Sequence, residues 1–379
     1  MPLPRLEYLP IIVALAAGCD EPEQPRVTQV WAGTLGTCAT TIDGTFWCWG
    51  YNGAMQVGDG TTQDRSVPVK PVGDLRDVTF VSIGFDDTCA VQAQHLVCWG
   101  AGSGGDGSIL AGESAPVPAP QAVMPDPISR VATSSTVRCV QKVDGSVWCW
   151  GTGALGSLGN GADADSAVPV PVSSMSSGVV ELVLGTYALK DDGRIWGWGP
   201  VSGANLVSLG SDHASQPVPI VGVDLAPLMG GVRLSGSRWT CALATTGQVS
   251  CWGLLPTDGF EPDFSDVAVE TNAGDISAAI TEISVGYDFI CVLDSGGVVQ
   301  CEGRNAAGQL GDGTRDHRFT MGPVQTLPKR ATHIAGGDFH TCALLEDGTL
   351  WCWGRNSSGQ VGAGTQADQT RPVQVRFVR

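Results

Sequence analysis

Basic residues are scarce in this sequence. Its 379 residues include 21 Lys and Arg against 38 Asp and Glu, which gives a formal net charge of -17. A protein that binds nucleic acid needs a basic patch or stripe to neutralise phosphates, and no such stretch is present. The acidity equally argues against electrostatic docking on an anionic membrane surface. We therefore predict neither a nucleic-acid partner nor a charge-driven membrane contact.

Catalytic and metal-binding motifs are also missing. The sequence contains no H-E-x-x-H, no G-x-x-x-x-G-K-[ST] and no G-x-S-x-G, and its Asp-Gly pairs lack the ligand spacing of a calcium loop. Its five histidines belong to no motif of this kind; they are His95, His213, His317, His333 and His340. We predict no catalytic residue, no metal and no cofactor.

No apolar run is long enough to cross a bilayer as a helix. The run at 9–17 is short and ends at Cys19 in L-A-A-G-C, which is typical of a secretory signal and resembles a bacterial lipobox. We predict a signal peptide over 1–18, a lipidated Cys19 that begins a polar tether over 19–26, and a folded domain over 27–379. The expected location is the bacterial cell envelope, with the lipid as the only membrane anchor. A plain signal peptide or a buried first strand is the alternative.

One phrase recurs along the rest of the chain, in which 52 Gly and 23 Pro mark frequent turns. It reads CALLEDGTLWCWG near the C-terminus, and the copies follow one another about 51 residues apart. The seven copies begin at Cys38, Cys89, Cys139, Tyr187, Cys241, Cys291 and Cys342. A repeat of this length indicates one supersecondary unit per copy.

Each copy predicts four short strands. Strand A precedes the first cysteine, strand B starts at it, strand C is the W-C-W-G stretch and strand D begins with Pro-Val. The Asp-Gly between strands B and C is a hairpin signal. Four antiparallel strands cannot bury both faces alone, whereas seven such units arranged around an axis can. We predict an all-β, seven-bladed β-propeller of four-stranded antiparallel blades; a linear β-solenoid is the alternative, for which the repeat is too long.

The full phrase, x-A-G-G-x-x-H-T-C-A-L…D-G-x-[VL]-W-x-W-G-x-N…G-Q-L-G, resembles the regulator of chromosome condensation repeat over 27–379. The resemblance implies a seven-bladed propeller that binds proteins. The family's best-known member is a nucleotide exchange factor for a nuclear GTPase, a role that the secretion signal and the acidity oppose. A secreted bacterial member that binds a β-lactamase through one propeller face is the better precedent.

Cysteines occur in pairs. Six copies hold two each, and the pairs are Cys38 and Cys48, Cys89 and Cys98, Cys139 and Cys149, Cys241 and Cys251, Cys291 and Cys301, and Cys342 and Cys352. Copy four lacks both, with Tyr187 and Gly197 in their places, as pairing would predict. Facing positions of a hairpin can accept a disulfide, and secretion supplies an oxidising compartment. Buried free thiols are the alternative, since the spacing does not suit zinc.

The turns between strands A and B carry aromatic and acidic residues that a plain turn does not need. In a four-stranded meander the A–B and C–D connections share one propeller face. We predict that this face binds a protein partner, because aromatic residues are enriched at interfaces, and that the carboxylates favour a basic patch. The partner-binding residues predicted are Phe85, Asp86, Trp239, Tyr287, Asp288, Phe289, Asp338 and Phe339.

The partner's identity does not follow from the sequence, and we expect the propeller itself to be a monomer. Three alternatives stay open. The rings in the A–B turns could fold inward and plug the central channel. The chain could be a propeller lyase or hydrolase with a site at the channel mouth. It could also be a purely structural surface protein.

Overall fold

A computed structural model describes residues 24–73, 75–101, 117–124, 126–134, 136–200, 213–221, 229–255, 263–270, 278–325 and 327–378. The predicted signal peptide and Cys19 lie outside these residues. Within the described part of the chain, no helix combines the length and the apolar character needed to cross a membrane.

The described strands form seven antiparallel sheets of four, each made of strands consecutive in sequence. We call these sheets blades 1 to 7. Blades 1 to 4 contain β1 (Val27–Ala32), β2 (Gly36–Thr41), β3 (Phe46–Gly50), β4 (Arg65–Val69); β5 (Val78–Ile83), β6 (Asp87–Gln92), β7 (His95–Gly100), β8 (Val117–Met124); β9 (Ile128–Thr133), β10 (Val137–Lys142), β11 (Val147–Gly151), β12 (Ser166–Pro171); β13 (Val179–Val183), β14 (Tyr187–Lys190), β15 (Ile195–Gly199) and β16 (Ala214–Pro219). Blades 5 to 7 contain β17 (Gly231–Gly236), β18 (Trp239–Ala244), β19 (Val249–Leu255), β20 (Asp263–Glu270); β21 (Ile280–Val285), β22 (Phe289–Asp294), β23 (Val299–Gly303), β24 (Arg318–Pro323); β25 (Ala331–Gly336), β26 (His340–Leu345), β27 (Leu350–Gly354) and β28 (Gln369–Gln374). A short 3-10 turn spans Ala154–Gly156. The all-β, seven-bladed prediction is confirmed.

The B–C hairpins turn at the predicted Asp-Gly pairs. Gly44 has a φ of 78°, which an L side chain rarely adopts, so glycine suits the turn. Asp43 precedes it, and its Oδ1 accepts hydrogen bonds from Thr41 Oγ1 and from the Thr45 backbone N–H, at 2.7 and 3.1 Å. These bonds, the one from Thr41 first, lower the pKa of Asp43 to about 2. Local chemistry therefore fixes the hairpin.

Every strand A carries a bulge near its start. In blade 1, Val27 pairs with Thr41 and Gln29 with Thr40, so Thr28 is left without a partner in the ladder. Its hydroxyl donates to the backbone oxygen of Thr40 at 3.3 Å. Blades 2, 3, 6 and 7 repeat this bond from a Ser or Thr at the same position.

The hydrophobic core lies between blades, where strand C tryptophans pack against the preceding blade. Trp49, Trp99 and Trp353 are 1%, 0% and 0% exposed. Their indole Nε1 atoms donate to the backbone oxygens of Gln360, Gln56 and Gln309, each in the C–D loop of the preceding blade. Blades 1 and 7 close the ring in this way, and no strand is exchanged between them in the described sheets.

All six predicted cysteine pairs lie at bonding distance, with S–S separations of 2.04 to 2.15 Å. Each pair joins directly opposed residues of strands B and C, as Cys342 and Cys352 show with a Cα separation of 4.0 Å. The structure therefore places the six predicted pairs where local disulfides can form.

Blade 4 departs from this pattern. Tyr187 and Gly197 occupy the opposed positions where the other blades have cysteines. Tyr187 is 6% exposed and packs its ring 5.7 Å from that of Trp252 in blade 5. Its A–B connection is also short, because Val183 pairs with Tyr187, whereas in blade 1 Trp31 pairs with Cys38. The blade replaces a cross-link with an aromatic contact.

Candidate functional site

The A–B turns and C–D loops meet on one face of the propeller, which we call the A–B face. Gln56 from the C–D loop of blade 1 donates its Nε2 to the backbone oxygen of Phe85 in the A–B turn of blade 2, at 2.9 Å. The ring of Tyr51 from the same loop lies 6.3 Å from the ring of Phe85. The two sets of loops therefore form a joint surface.

Two aromatic rings flanked by two guanidinium groups form a row across three blades on this face. Arg238 of blade 5 lies over the ring of Tyr287 of blade 6, with 4.9 Å to the centroid. That ring lies 5.3 Å from the ring of Phe339 of blade 7, tilted by 33°. The guanidinium of Arg355, from the C–D loop of blade 7, lies 5.4 Å from the Phe339 centroid. We call these four residues the aromatic–arginine row.

Two carboxylates flank the row. Asp288 Oδ1 lies 3.7 Å from a guanidinium nitrogen of Arg238. Asp338 accepts a hydrogen bond from Ser237 Oγ at 2.6 Å, and its backbone oxygen accepts one from the Tyr287 N–H at 2.9 Å. Burial raises the pKa of Asp338, against the hydrogen bonds to its side chain. These contacts connect blades 5, 6 and 7 at the base of the row.

Phe85 and Asp86 lie on the same face but on blade 2. Phe85 is 49% exposed, and Asp86 is half-buried beside it. Burial raises the pKa of the Asp86 carboxyl. Their blade is not adjacent to blades 5, 6 and 7, so they form a second patch on the A–B face.

Two of the predicted partner-binding residues are placed differently by the structure. Trp239 is 4% exposed and donates its Nε1 to the backbone oxygen of Gly286 at 3.0 Å. Phe289 is fully buried in the cluster between blades 6 and 7. Both are the first residue of a strand B, whose side chain points into the space between blades. The expectation that they are available to a partner is wrong, and so is the idea that they plug the channel.

Aligning the seven repeats with one another could have revealed that the position of Trp239 and Phe289 is buried. The residues at the first position of strand B include Asp87 and His340, which are also buried at a blade seam. Asp87 pairs with Arg138 of blade 3, Oδ2 to a guanidinium nitrogen at 2.6 Å. The position therefore serves blade packing, whatever residue occupies it.

The central channel contains charges that the sequence did not disclose. The A strands of all seven blades line it, and its volume is about 1070 Å³. Glu282 accepts hydrogen bonds from His333 Nδ1 and the Ile334 N–H, at 2.9 and 3.0 Å. Glu181 accepts one from the Leu234 N–H at 2.7 Å. These carboxylates join neighbouring blades. The bulge in strand A interrupts the alternation of side chains along the strand, so the sequence pattern did not indicate that they face the channel.

The sheets and their shared seams define a seven-bladed β-propeller built from one repeated four-stranded unit. Models of the regulator of chromosome condensation (RCC1) repeat match residues 144–187, 298–344 and 347–379, and a second model of that description matches 331–360. The chain therefore contains regulator of chromosome condensation repeats in the matched segments.

Most of the chain is similar to known proteins. The ultraviolet-B receptor UVR8 of Arabidopsis thaliana is 27% identical over 325 residues, which are 80% of this chain and 70% of that protein. The human E3 ubiquitin-protein ligase HERC2 is 27% identical over 349 residues, which cover 87% of this chain but 7% of that protein. The crystal structure of human WBSCR16 superposes with a TM-score of 0.73 at 19% identity, covering 87% of this chain and 93% of the other. This last likeness concerns the fold alone.

Proposed function

We propose that this chain is an extracytoplasmic, lipid-anchored propeller scaffold that binds a protein partner through its A–B face. The aromatic–arginine row is the observation that carries the proposal. Its members come from three consecutive blades, so the packing of neighbouring blades brings them together. Tyr, Phe and Arg are enriched at interfaces, and Tyr and Arg are frequent among the residues that carry most of the binding energy.

The row has the properties of a preorganised contact surface. Tyr287 and Phe339 are half-buried, and Arg238 keeps 34% of its side chain exposed. Stacking between guanidinium groups and rings holds these side chains in place before a partner arrives, which reduces the ordering cost of binding. The blade core does not require them, because the strand C tryptophans already fill it.

The charges on this face favour a partner with a basic patch. Asp288 is already paired with Arg238, whereas the A–B turn of blade 2, at 84–87, contains no Lys or Arg, and Asp86 in it faces the solvent in part. The net charge of -17 would attract a basic partner at long range.

The extracytoplasmic assignment is supported by two independent features. Six hairpins hold their cysteines at disulfide distance, a density typical of proteins from oxidising compartments. The L-A-A-G-C ending at Cys19 supplies the signal for secretion and lipidation.

Affinity capture with the soluble domain from Asp20 onward, followed by mass spectrometry and binding assays with the purified partner, tests the proposal. The double variant Tyr287→Ala/Phe339→Ala should bind the captured partner about 30-fold more weakly, which corresponds to about 2 kcal/mol. Val143→Ala, on the opposite face, is the matched control and should bind normally. Normal binding by the double variant, with loss in the control, would show that the wrong face was chosen.

A further inference from the structure

We infer that the face opposite the A–B face lies against the bilayer, so that the aromatic–arginine row points away from it. We call this opposite surface, formed by the B–C turns and D–A connections, the B–C face. The inference rests on the lipid anchor in the proposed function and adds the orientation of the propeller.

The chain enters the propeller at the B–C face. The Val27 N–H donates to the backbone oxygen of Gly348, in the B–C turn of blade 7, at 2.8 Å. The backbone oxygen of Arg26 accepts from the N–H of Ile42, in the B–C turn of blade 1, also at 2.8 Å. Gln24 is held as well, since its Oε1 accepts from the Phe377 N–H at 2.8 Å. The start of the folded domain is thus fixed on this face.

The tether between Cys19 and the folded domain is too short for the A–B face to lie against the bilayer. Five residue steps separate Cys19 from Gln24, and a fully extended chain of that length spans about 17 Å. A six-residue strand such as β1 is about 20 Å long, and the A–B turns add to that height. A lipid on Cys19 therefore cannot reach the level of the A–B face, even along the outer side of a blade.

The B–C face also exposes apolar side chains. Ile42, Val143 and Val298 lie in or beside B–C turns and are 66%, 55% and 48% exposed. Val180 and Val232 occupy the bulge of blades 4 and 5, where the other five blades have a hydroxyl that bonds strand B. Such side chains suit the apolar boundary of a lipid layer.

Because of the charges on the B–C face, its contact with the bilayer should depend on the lipid anchor. Asp43, Asp144 and Asp347 stand in the same turns, and their hydrogen bonds lower the pKa of each carboxyl, which keeps them ionised. These carboxylates oppose the attraction of neighbouring cations such as Lys142 and Lys329 to anionic lipid, and single valines contribute little binding. The unlipidated domain should therefore stay off membranes, and the lipidated chain should rest on this face.

The test uses the full lipidated chain with a keto amino acid at one exposed position, labelled with a fluorophore. Val143 and Val298 report on the B–C face, and Phe85, at 49% exposure, is the matched position on the A–B face. Each protein is placed in vesicles of phosphatidylethanolamine and phosphatidylglycerol that contain a nitroxide headgroup lipid. We expect loss of fluorescence at 143 and 298 and none at 85.

Other outcomes distinguish a wrong orientation from a missing lipid anchor. Loss at 85 alone, equal loss at all three positions, or no loss at any would overturn the orientation while leaving the anchor intact. Mass spectrometry of the N-terminal peptide and vesicle flotation report the anchor directly, with Cys19→Ser as the comparison. A mature chain without lipid would overturn both the anchor and the orientation, whereas partner binding by the A–B face is measured independently on the soluble domain.

Discussion

His340 Nε2 lies 2.8 Å from Thr37 Oγ1 and joins the last blade to the first across 303 residues of chain. The Thr37 hydroxyl donates its single proton to the backbone oxygen of Gln360 at 2.8 Å, so His340 is the donor in the pair. Trp49 Nε1 donates to the same oxygen at 2.9 Å. The ring is thus closed by buried hydrogen bonds and packing.

Removing the Thr37 hydroxyl should destabilise the closing seam. Thr37→Val leaves His340 Nε2 without its partner in a buried site, and we expect the free energy of unfolding to fall by about 2 kcal/mol, measured in urea. Thr88→Val is the matched control, because Thr88 makes the same bond to Gln56 at 2.8 Å without a histidine partner. An equal loss in both variants would mean that the His340 contact contributes nothing.

Stability should decrease in mild acid through His340. Burial lowers the pKa of His340 to about 4, against about 6.5 in an unfolded chain. Below pH 6.5 the unfolded state takes up a proton that the folded state does not, so this contribution to stability is present above pH 6.5 and shrinks as the pH falls towards 4.

From these values we expect a loss of about 2 kcal/mol in unfolding free energy between pH 7 and pH 5. The measurement is urea unfolding at the two pH values. His340→Gln is the comparison and should lack this share of the pH dependence. If both proteins lose the same free energy, another group is responsible.

Trp239 should matter for folding and little for binding. Trp239→Ala removes a buried ring that packs between blades 5 and 6, and we expect a loss of about 3–5 kcal/mol in unfolding free energy. Affinity for a captured partner should be unchanged in the fraction that remains folded. If the Trp239→Ala variant binds weakly and keeps normal stability, Trp239 is a partner-binding surface residue after all.

Replacing Gly197 with any larger residue should destabilise the fold. A Cβ there would lie 2.9 Å from Ile220 Cδ1 and 3.0 Å from Tyr187 Cε1, so Gly197→Ala should cost about 1–3 kcal/mol by overpacking. Thermal and urea unfolding both report it. In a Tyr187→Leu background the same substitution should cost less, because the ring no longer occupies that space. An equal cost in both backgrounds would rule out the ring as the cause.

Local features were predictable from sequence because each is set within one repeat. The Asp43-Gly44 turn and the pairing of Cys342 with Cys352 depend on residues at most ten apart. Copy four lost both cysteines, which indicated correctly that the two positions face each other. The repeat length, and the need to bury both faces of a small sheet, then led to the seven-bladed ring.

Tertiary structure decided what the repeats do together. Trp239 and Phe289 resembled turn residues, but strand B begins at them, and its first side chain points into the gap between blades. The aromatic–arginine row exists only because blades 5, 6 and 7 bring single residues from three turns into contact. The sequence by itself determined the blade, since hairpins and cross-links form between near neighbours in the chain. Packing between neighbouring blades decided the face, and ring closure decided the seam between blades 7 and 1, because both sets of contacts join residues that are distant in sequence.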